Sequence, residues 1–419
     1  MRVPVSLSEG FGLQFEQLLS EFCHQQELLP EPHSLKSPRF LARSILPHVE
    51  KLSSMFNRIE NDGDGLAPYW KETSNPAHLR LAYFVSFMPP NLYRTSSVIA
   101  ELSRLGYKWS AQGDLRGIEF GAGPAAGATG IAAGEFFAPI GIPKTGNWAL
   151  IEQDKAVLEL GAAWAETYFK DRGFTDWEIR KFHRKLSLKQ GFLPSSAPQF
   201  NLWSMSFFLN ELTETPEEIA EKLVQTWDKH LAEEGLVIIV EPALRTQSRK
   251  LLAVRKALLK LRDNGKAPWL KLLLPCLGHQ VCGALAAEDD WCHEDVMWWR
   301  PPYLRQIDAM AKLDRKSLPF SYMVIVRSDR EIEEILPALA GGGQRERLVS
   351  PAYYQGSEQE FYMCGQSGKR RSRYRFLARS RENPKLAPAE ELGRGDILCG
   401  VEMRGDVQST RIDRIIEVV

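Results

Sequence analysis

Residues 115–130 read LRGIEFGAGPAAGATG. Six residues of strand character, Leu115–Phe120, run into a loop dense in glycine and alanine, and a helical pattern follows. In a doubly wound α/β sheet a first strand meets its helix at such a loop, and glycine there lets a ligand approach the backbone closely. The helix beyond offers unpaired N–H groups and the positive end of its dipole. A dinucleotide site wants G-x-G-x-x-G with an acid about 20 residues further on. Here the third position after Gly123 is Ala126, and the acid ending the next strand, Glu152, lies 31 residues past Gly121. S-adenosylmethionine suits this pattern better. It has no phosphate, carries a cationic sulfonium and amino group, and presents a ribose diol. Glu119, before Gly121 and Gly123, matches the cation, and Glu152 matches the diol. Two alternatives stay open on these residues: another nucleotide, or a tight turn without a ligand in which Glu119 bonds the loop backbone.

Outward from the loop, the chain alternates strands and helices. Trp148–Glu152 (WALIE), Phe200–Phe207 (FNLWSMSF), Gly235–Glu241 (GLVIIVE) and Ser321–Val326 (SYMVIV) read as strands. Helical runs lie over 154–168 and 247–261. Thr215-Pro216-Glu217-Glu218 is a helix start, with Thr as N-cap and Glu three residues on, and Ile219, Leu223, Trp227 and Leu231 mark the buried side. This is a βαβ pattern, so residues 111–335 are expected to form a doubly wound, Rossmann-like parallel sheet. Asn210 and Glu211 follow the 200–207 strand at the carboxyl rim, where ligands bind, and Glu241-Pro242 ends a strand at the same rim. Either residue can touch a cofactor there or merely cap the next turn. Residues 1–110 read as helical, with Phe15, Leu18, Leu19 and Phe22 on one face. Met88-Pro89-Pro90 is expected to interrupt the helix over 79–105.

The whole chain has 419 residues, 44% hydrophobic, with 53 Lys+Arg against 53 Asp+Glu. Such a composition excludes a mainly disordered chain, a collagen and a simple coiled coil. No apolar run approaches the roughly 18 residues of a membrane span. The N-terminus lacks both a secretory apolar stretch and an Arg-rich transit pattern, so a soluble cytoplasmic protein is expected, with no membrane partner.

Two local features stand out. Cys276, Cys282 and Cys292 fall within 17 residues, spaced Cys-x5-Cys-x9-Cys, and Cys364 follows at a distance. In a reducing compartment, clustered thiols favour a metal over a disulfide, and thiolates suit zinc or an iron–sulfur centre. The spacing matches neither paired Cys-x2-Cys knuckles nor a ferredoxin run. The second feature is the basic stretch 366–381, QSGKRRSRYRFLARSR, with seven Lys/Arg and no acid. It includes Lys369, Arg370, Arg371, Arg373 and Arg375, with Tyr374 and Phe376 interleaved. On a strand, Arg371, Arg373 and Arg375 share a face that suits RNA phosphates, and the aromatics suit unpaired bases. A solvated edge strand is the plain alternative.

Several segments together resemble one family, the small-ribosomal-subunit-associated, methyltransferase-like proteins of mitochondria and bacteria. They are Leu81-Ala82-Tyr83 with Met88-Pro89, GAGPAAGATG, Leu209-Asn210-Glu211-Leu212, Val240-Glu241-Pro242, Pro275-Cys276 through Asp290-Trp291-Cys292-His293, and Phe320-Ser321-Tyr322. The resemblance runs over about residues 75–380, and the cysteine block is its most specific part. His279 stands one place later than in the family's Cys-Pro-His, and Gly283 replaces the usual Pro. The resemblance implies a class I S-adenosylmethionine-dependent methyltransferase fold. Around it lie a helical N-terminal region (1–110), a Cys-rich metal-binding insertion (270–296) and a small basic β-rich C-terminal segment (336–419). It further implies a 4Fe-4S cluster on Cys276, Cys282, Cys292 and Cys364, with zinc as the alternative metal. The implied partner is the small ribosomal subunit or its rRNA during assembly, with no DNA expected. Two other readings remain: a catalytically inactive assembly or RNA-binding factor on the same fold, and a zinc-stapled protein or small-molecule methyltransferase.

Overall fold

The computed structural model describes residues 9–62, 76–189, 191–277, 282–341, 343–355, 358–365, 372–377, 392–404, 410–414 and 417–419. The chain opens with helices α1 (Glu9–Gln25), α2 (Leu46–Asp62) and α3 (Pro76–Arg104). Their apolar faces are continuous with the core of the sheet that follows. Phe15, Phe22 and Phe84 converge on the Trp164 indole, with ring centroids 5.7, 5.3 and 5.7 Å away.

Helix α3 runs straight through Pro89 and Pro90, contrary to the sequence expectation. Each proline deprives the carbonyl four residues earlier of its N–H partner. Those carbonyls belong to Val85 and Ser86. The Tyr303 hydroxyl donates to Val85 O at 2.7 Å, and the Arg315 guanidinium donates to Ser86 O at 2.8 Å. Side chains more than 200 residues away thus replace the two lost backbone bonds, which no local reading of Met88-Pro89-Pro90 reveals.

The sheet comprises β1 (Leu115–Phe120), β2 (Thr145–Glu152), β3 (Asp176–His183), β4 (Phe200–Ser206), β5 (Leu231–Pro242), β6 (Leu270–Leu274), β7 (Glu294–Met297) and β8 (Ser317–Arg327). Between these strands lie α4 (Ala126–Phe137), α5 (Lys155–Asp171), α6 (Pro216–His230), α7 (Arg245–Asp263) and α8 (Pro302–Ala311). Strand order is β3-β2-β1-β4-β5-β8-β6, with β7 paired to β8. Neighbours from β3 to β5 are parallel, and β8 runs antiparallel between β5 and β6. The order reverses between β1 and β4, so the crevice at the carboxyl ends of these two strands is the natural ligand site. Buried side chains of α3, α4 and α5 form the core on one face, and those of α6 and α7 form it on the other. The capping box at Thr215 and Glu218 is present, and Ile219, Leu223 and Trp227 are fully buried.

Strands β6 and β7 both belong to this sheet, so the Cys-rich stretch is the connection between two sheet strands, narrower than 270–296. After β8 the chain forms a second sheet from β9 (Arg345–Leu348), β10 (Tyr353–Gln355), β11 (Glu358–Gly365), β12 (Ser372–Leu377), β13 (Ile397–Cys399), β14 (Glu402–Arg404), β15 (Thr410–Arg414) and β16 (Glu417–Val418). Buried Arg347 of β9 ties it to the first sheet, donating to Glu101 of α3 at 2.7 Å and lying 3.6 Å from Glu294 of β7. Among the described residues, no helix is long and apolar enough to cross a membrane.

Removing the Tyr303 hydroxyl leaves Val85 O unsatisfied in the core. A buried carbonyl without a partner costs about 1–3 kcal/mol. Tyr303→Phe is expected to lower unfolding free energy by that amount in denaturant titration, and an unchanged midpoint would contradict the proposed rescue of α3.

Candidate functional site at the carboxyl ends of β1 and β4

Gly121 and Gly123 adopt φ of 60° and 50°, the left-handed region that favours glycine. Ala125 shares that conformation, with φ of 57°, and stands at the N-cap of α4. Buried Glu119 lies beneath the loop. Its two oxygens accept from Gly127 N at 2.9 Å and Ala128 N at 2.8 Å, in the first turn of α4. Burial pushes its carboxyl up to about 8, against the pull of those two donors. Glu152, at the end of β2, accepts from Gly123 N at 3.0 Å through one oxygen. Through the other it accepts from Gln153 N and Asp154 N, at 2.8 and 2.9 Å. Burial raises its pKa as well.

The opposite wall follows β4. Glu241, at the end of β5, accepts from the backbone N–H groups of Phe208, Leu209 and Asn210 at 3.1, 2.7 and 3.1 Å. Its carboxyl rises to about 8, first because it is buried. The Asn210 amide, with its nitrogen turned inward, donates to Glu241 at 3.0 Å and to Phe207 O at 2.9 Å. Glu211 is exposed by surface area, yet its carboxyl is crowded by protein. That burial, followed by the charge of Glu152, pushes it up to about 7. Tyr83 of α3 closes the cleft. Its hydroxyl lies 3.6 Å from where a Cβ on Gly123 would stand. Burial and then the charges of Glu211, Glu152 and Glu119 push its phenol pKa up.

Glu119, Gly121, Gly123, Glu152 and Glu211 therefore surround one cleft, whereas the Asn210 side chain serves the loop. The backbone-bonding alternative for Glu119 is what the geometry shows. Sequence reasoning passed over Tyr83 as a site residue, because it sits on a helix before the sheet begins. It also missed the pinning role of Glu241, although this glutamate ends its strand just as Glu152 does. The resulting concavity is acidic and sparing of charge, a setting that welcomes a cation.

The cysteines are placed unevenly. Cys282 is raised in pKa by burial and then by the neighbouring Cys276 thiol. Cys276 and Cys292 line one pocket together with Arg255 and Ser321. Arg249 of α7 pins this connection, donating to the carbonyls of Ala284, Ala287 and Asp290 at 3.2, 2.7 and 2.6 Å. Ser321 donates to Cys292 O at 2.8 Å. Cys364 lies directly opposite Arg347 in the β11–β9 pair, so both side chains share the face that meets Glu294, two residues past Cys292. As a donor set these thiols suit a soft metal centre. Among the described residues, however, no group of three or more His, Cys, Asp or Glu is gathered closely enough to hold an ion. Residues 278–281, including His279, lie outside the described residues.

In the basic stretch, Lys369, Arg370 and Arg371 lie outside the described residues. Arg373 and Arg375 fall on β12, in register with Tyr362 and Glu360.

A family model described as mitochondrial small ribosomal subunit Rsm22 matches residues 81–396. No curated protein matches the chain. Solved structures similar to it include an O-methyltransferase from Bacillus cereus in complex with S-adenosylhomocysteine, 10% identical at a TM-score of 0.30, with 62% of this chain and 96% of that one covered. An O-methyltransferase, TomG, from Streptomyces achromogenes in complex with S-adenosylmethionine is 11% identical at a TM-score of 0.29, covering 56% and 79%. A human methyltransferase 10 domain containing protein is 12% identical at a TM-score of 0.30, covering 58% and 84%.

The left-handed Ala125 offers a direct test of the loop. An alanine there costs roughly 1–2 kcal/mol of steric strain. Glycine removes that strain but adds about 0.4–1 kcal/mol of unfolded-chain entropy. Ala125→Gly is therefore expected to stabilise the fold slightly, by up to about 1 kcal/mol, as a small rise in thermal midpoint. A fall would show that the methyl group is needed for packing.

Proposed function

The chain belongs to the mitochondrial small ribosomal subunit Rsm22 family, and from that premise we propose that it is an S-adenosylmethionine-binding, methyltransferase-like protein acting on or with small-subunit rRNA. The observation that carries the cofactor reading is the cleft in which Gly123, Tyr83, Glu152 and Glu211 meet at the switch point of the sheet. Glu152, three of whose roughly four acceptor positions take backbone N–H groups, keeps one for a ribose hydroxyl. Glu211 supplies negative charge for a cationic sulfonium or amino group. Glu119 holds the first turn of α4 in place from below. S-adenosylmethionine supplies a methyl group on a positively charged sulfur, which a nucleophile displaces as the sulfur leaves neutral. Such a transfer needs alignment above all, and no general base is obligatory.

We further propose that Cys276, Cys282, Cys292 and Cys364 hold a sulfur-ligated centre, an iron–sulfur cluster of the 4Fe-4S type rather than zinc. The support is the proximity of Cys276 to Cys282, the pocket shared by Cys276 and Cys292, and the face on which Cys364 stands. Such a centre would fasten the β6–β7 connection to the second sheet.

Two outcomes test these readings. Glu211 protonates near 7, and a cation binds its ionised form, so affinity for S-adenosylmethionine should fall as pH falls. With one coupled proton, the loss from pH 8 to pH 6 is about tenfold by calorimetry. S-adenosylhomocysteine, lacking the sulfonium charge, should show a shallower slope. Equal slopes would assign Glu211 to the amino group, which both ligands carry, and no binding would remove the cationic-cofactor reading. Labelled methyl transfer into small-subunit rRNA then tests the enzymatic half, and binding without transfer leaves a cofactor-holding assembly factor. For the metal, anaerobically purified protein should be brown with iron and sulfide in near-equal amounts, and Cys364→Ser should lose both. A colourless zinc protein would overturn the iron assignment.

A further inference from the structure

The basic tail is not the chain's only acid-free cationic stretch. From Ile179 to Asn210 there is no Asp or Glu, and Arg180, Lys181, Arg184, Lys185 and Lys189 fall within its first 11 residues. In space this stretch begins on β3, the edge strand of the first sheet. Alternation along β3 divides its side chains between two faces. Trp177 packs on Phe169 of α5, with centroids 5.0 Å apart, and Lys181 pairs with Glu159 of the same helix. The opposite face carries Asp176, Glu178, Arg180 and Phe182, the last two in register with Ala149 and Ile151 of β2. The chain leaves β3 for β4 through residues 184–199, where no helix is found among the described residues, and Arg180 and Phe182 at the β3 edge are exposed. Phe182 is 48% exposed, unusual for a phenylalanine on a sheet strand.

The same segment leads to the cleft. The Arg184 N–H donates to Glu152 O at 2.9 Å, and His183 Nε2 lies 3.0 Å from Gln153 O. Buried Phe192 then packs on Phe120 and Phe208, with centroids 5.7 and 5.9 Å away. The Phe208 ring in turn lies 3.0 Å from a Cβ placed on Gly121. Arg184 and Phe192 thus anchor this segment beside the glycine loop, with Lys185 and Lys189 exposed.

We infer that the open face of β3 and the loop after it form a docking track for single-stranded RNA leading to the adenosyl cleft. Phe182 serves as a base-stacking platform, and Arg180, Lys185 and Lys189 contact phosphates. Charge complementarity selects a polyanion, since these cations have no acid within their own stretch. The exposed ring selects an unpaired strand, because only unstacked bases offer a free π-face. This inference rests on the RNA reading above and assigns it a surface other than the tail.

The test uses the full chain with a fluorescent mixed-sequence single-stranded RNA and a duplex of the same sequence. Phe182→Ala should weaken single-strand binding about tenfold while leaving duplex binding unchanged. Arg180→Gln with Lys185→Gln should lower the slope of log affinity against log salt by about 1.4, or 0.7 per lost phosphate contact. All variants should keep the parental thermal midpoint and S-adenosylmethionine affinity, and ultraviolet crosslinking should place RNA on the peptide containing Phe182. If the parent binds RNA while the variants keep its affinity and slope, the track is wrong and the RNA reading survives. If the parent binds no RNA, both fall.

Discussion

The cleft exists because glutamates at strand ends hold backbone that would otherwise be loose. Glu119, Glu152 and Glu241 each spend their oxygens on N–H groups of the next loop or of one beside it. Loops at a carboxyl edge leave donors unsatisfied, and helix starts leave more. A carboxyl group accepting two or three such donors fixes the loop by tying separate stretches of backbone to one side chain. The arrangement carries an electrostatic cost. Burial outweighs the donors at Glu119 and Glu241, whose carboxyls both rise to about 8. Near neutral pH Glu119 and Glu241 therefore hold their protons, and a nearby cation lowers the pKa of each.

The two sheets are joined by the reverse device. At Glu101 burial would raise the carboxyl, yet Arg347 and Arg104 outweigh it and hold the group at about 2. This contribution to stability is present above the ordinary carboxyl range and lost as pH falls towards 2. A buried pair adds little over a well-packed apolar contact, but losing one partner strands a charge. Arg347 also opposes Cys364 across β9 and β11, so the junction that sets the second sheet on the first also sets where this thiol faces. Register at this seam is thus fixed by charge as well as by packing.

What the sequence revealed follows from how local each signal is. The glycine loop, the strands flanking it and the Thr215 cap depend on neighbours within a few residues, and all were legible. Strand β3, DWEIRKFH, was not, because only Trp177 is buried and most of its residues are exposed on both faces, which leaves no apolar alternation to read. Strand β6 was absorbed into the cysteine block, since LKLLL is too short to separate from its surroundings by periodicity. The continuation of α3 past two prolines was invisible, because its rescue comes from Tyr303 and Arg315. Tyr83 was missed for the same reason: its role is created by Gly123 and three glutamates that are remote in the chain. The fold was thus largely readable from patterns, whereas the site depends on contacts across the switch point.

A net charge of zero conceals two opposed local fields in this chain. The cleft is acidic; the chain from Arg180 to Lys189 carries exposed bases and no acid. Screening separates their behaviour. Salt at physiological strength shortens the reach of exposed charges to about 8 Å, whereas buried groups are screened far less. Attraction of a polyanion to Arg180 and Lys185 would therefore weaken steeply with salt, and attraction of a cation to the less exposed Glu152 would weaken less. Once ionised, Glu152 and Glu211 would repel a phosphate while favouring a sulfonium. A strand held along the edge can present a base at the mouth of the cleft while its backbone stays outside. On this view, opposite charge on adjacent surfaces sorts the two ligands without a moving part.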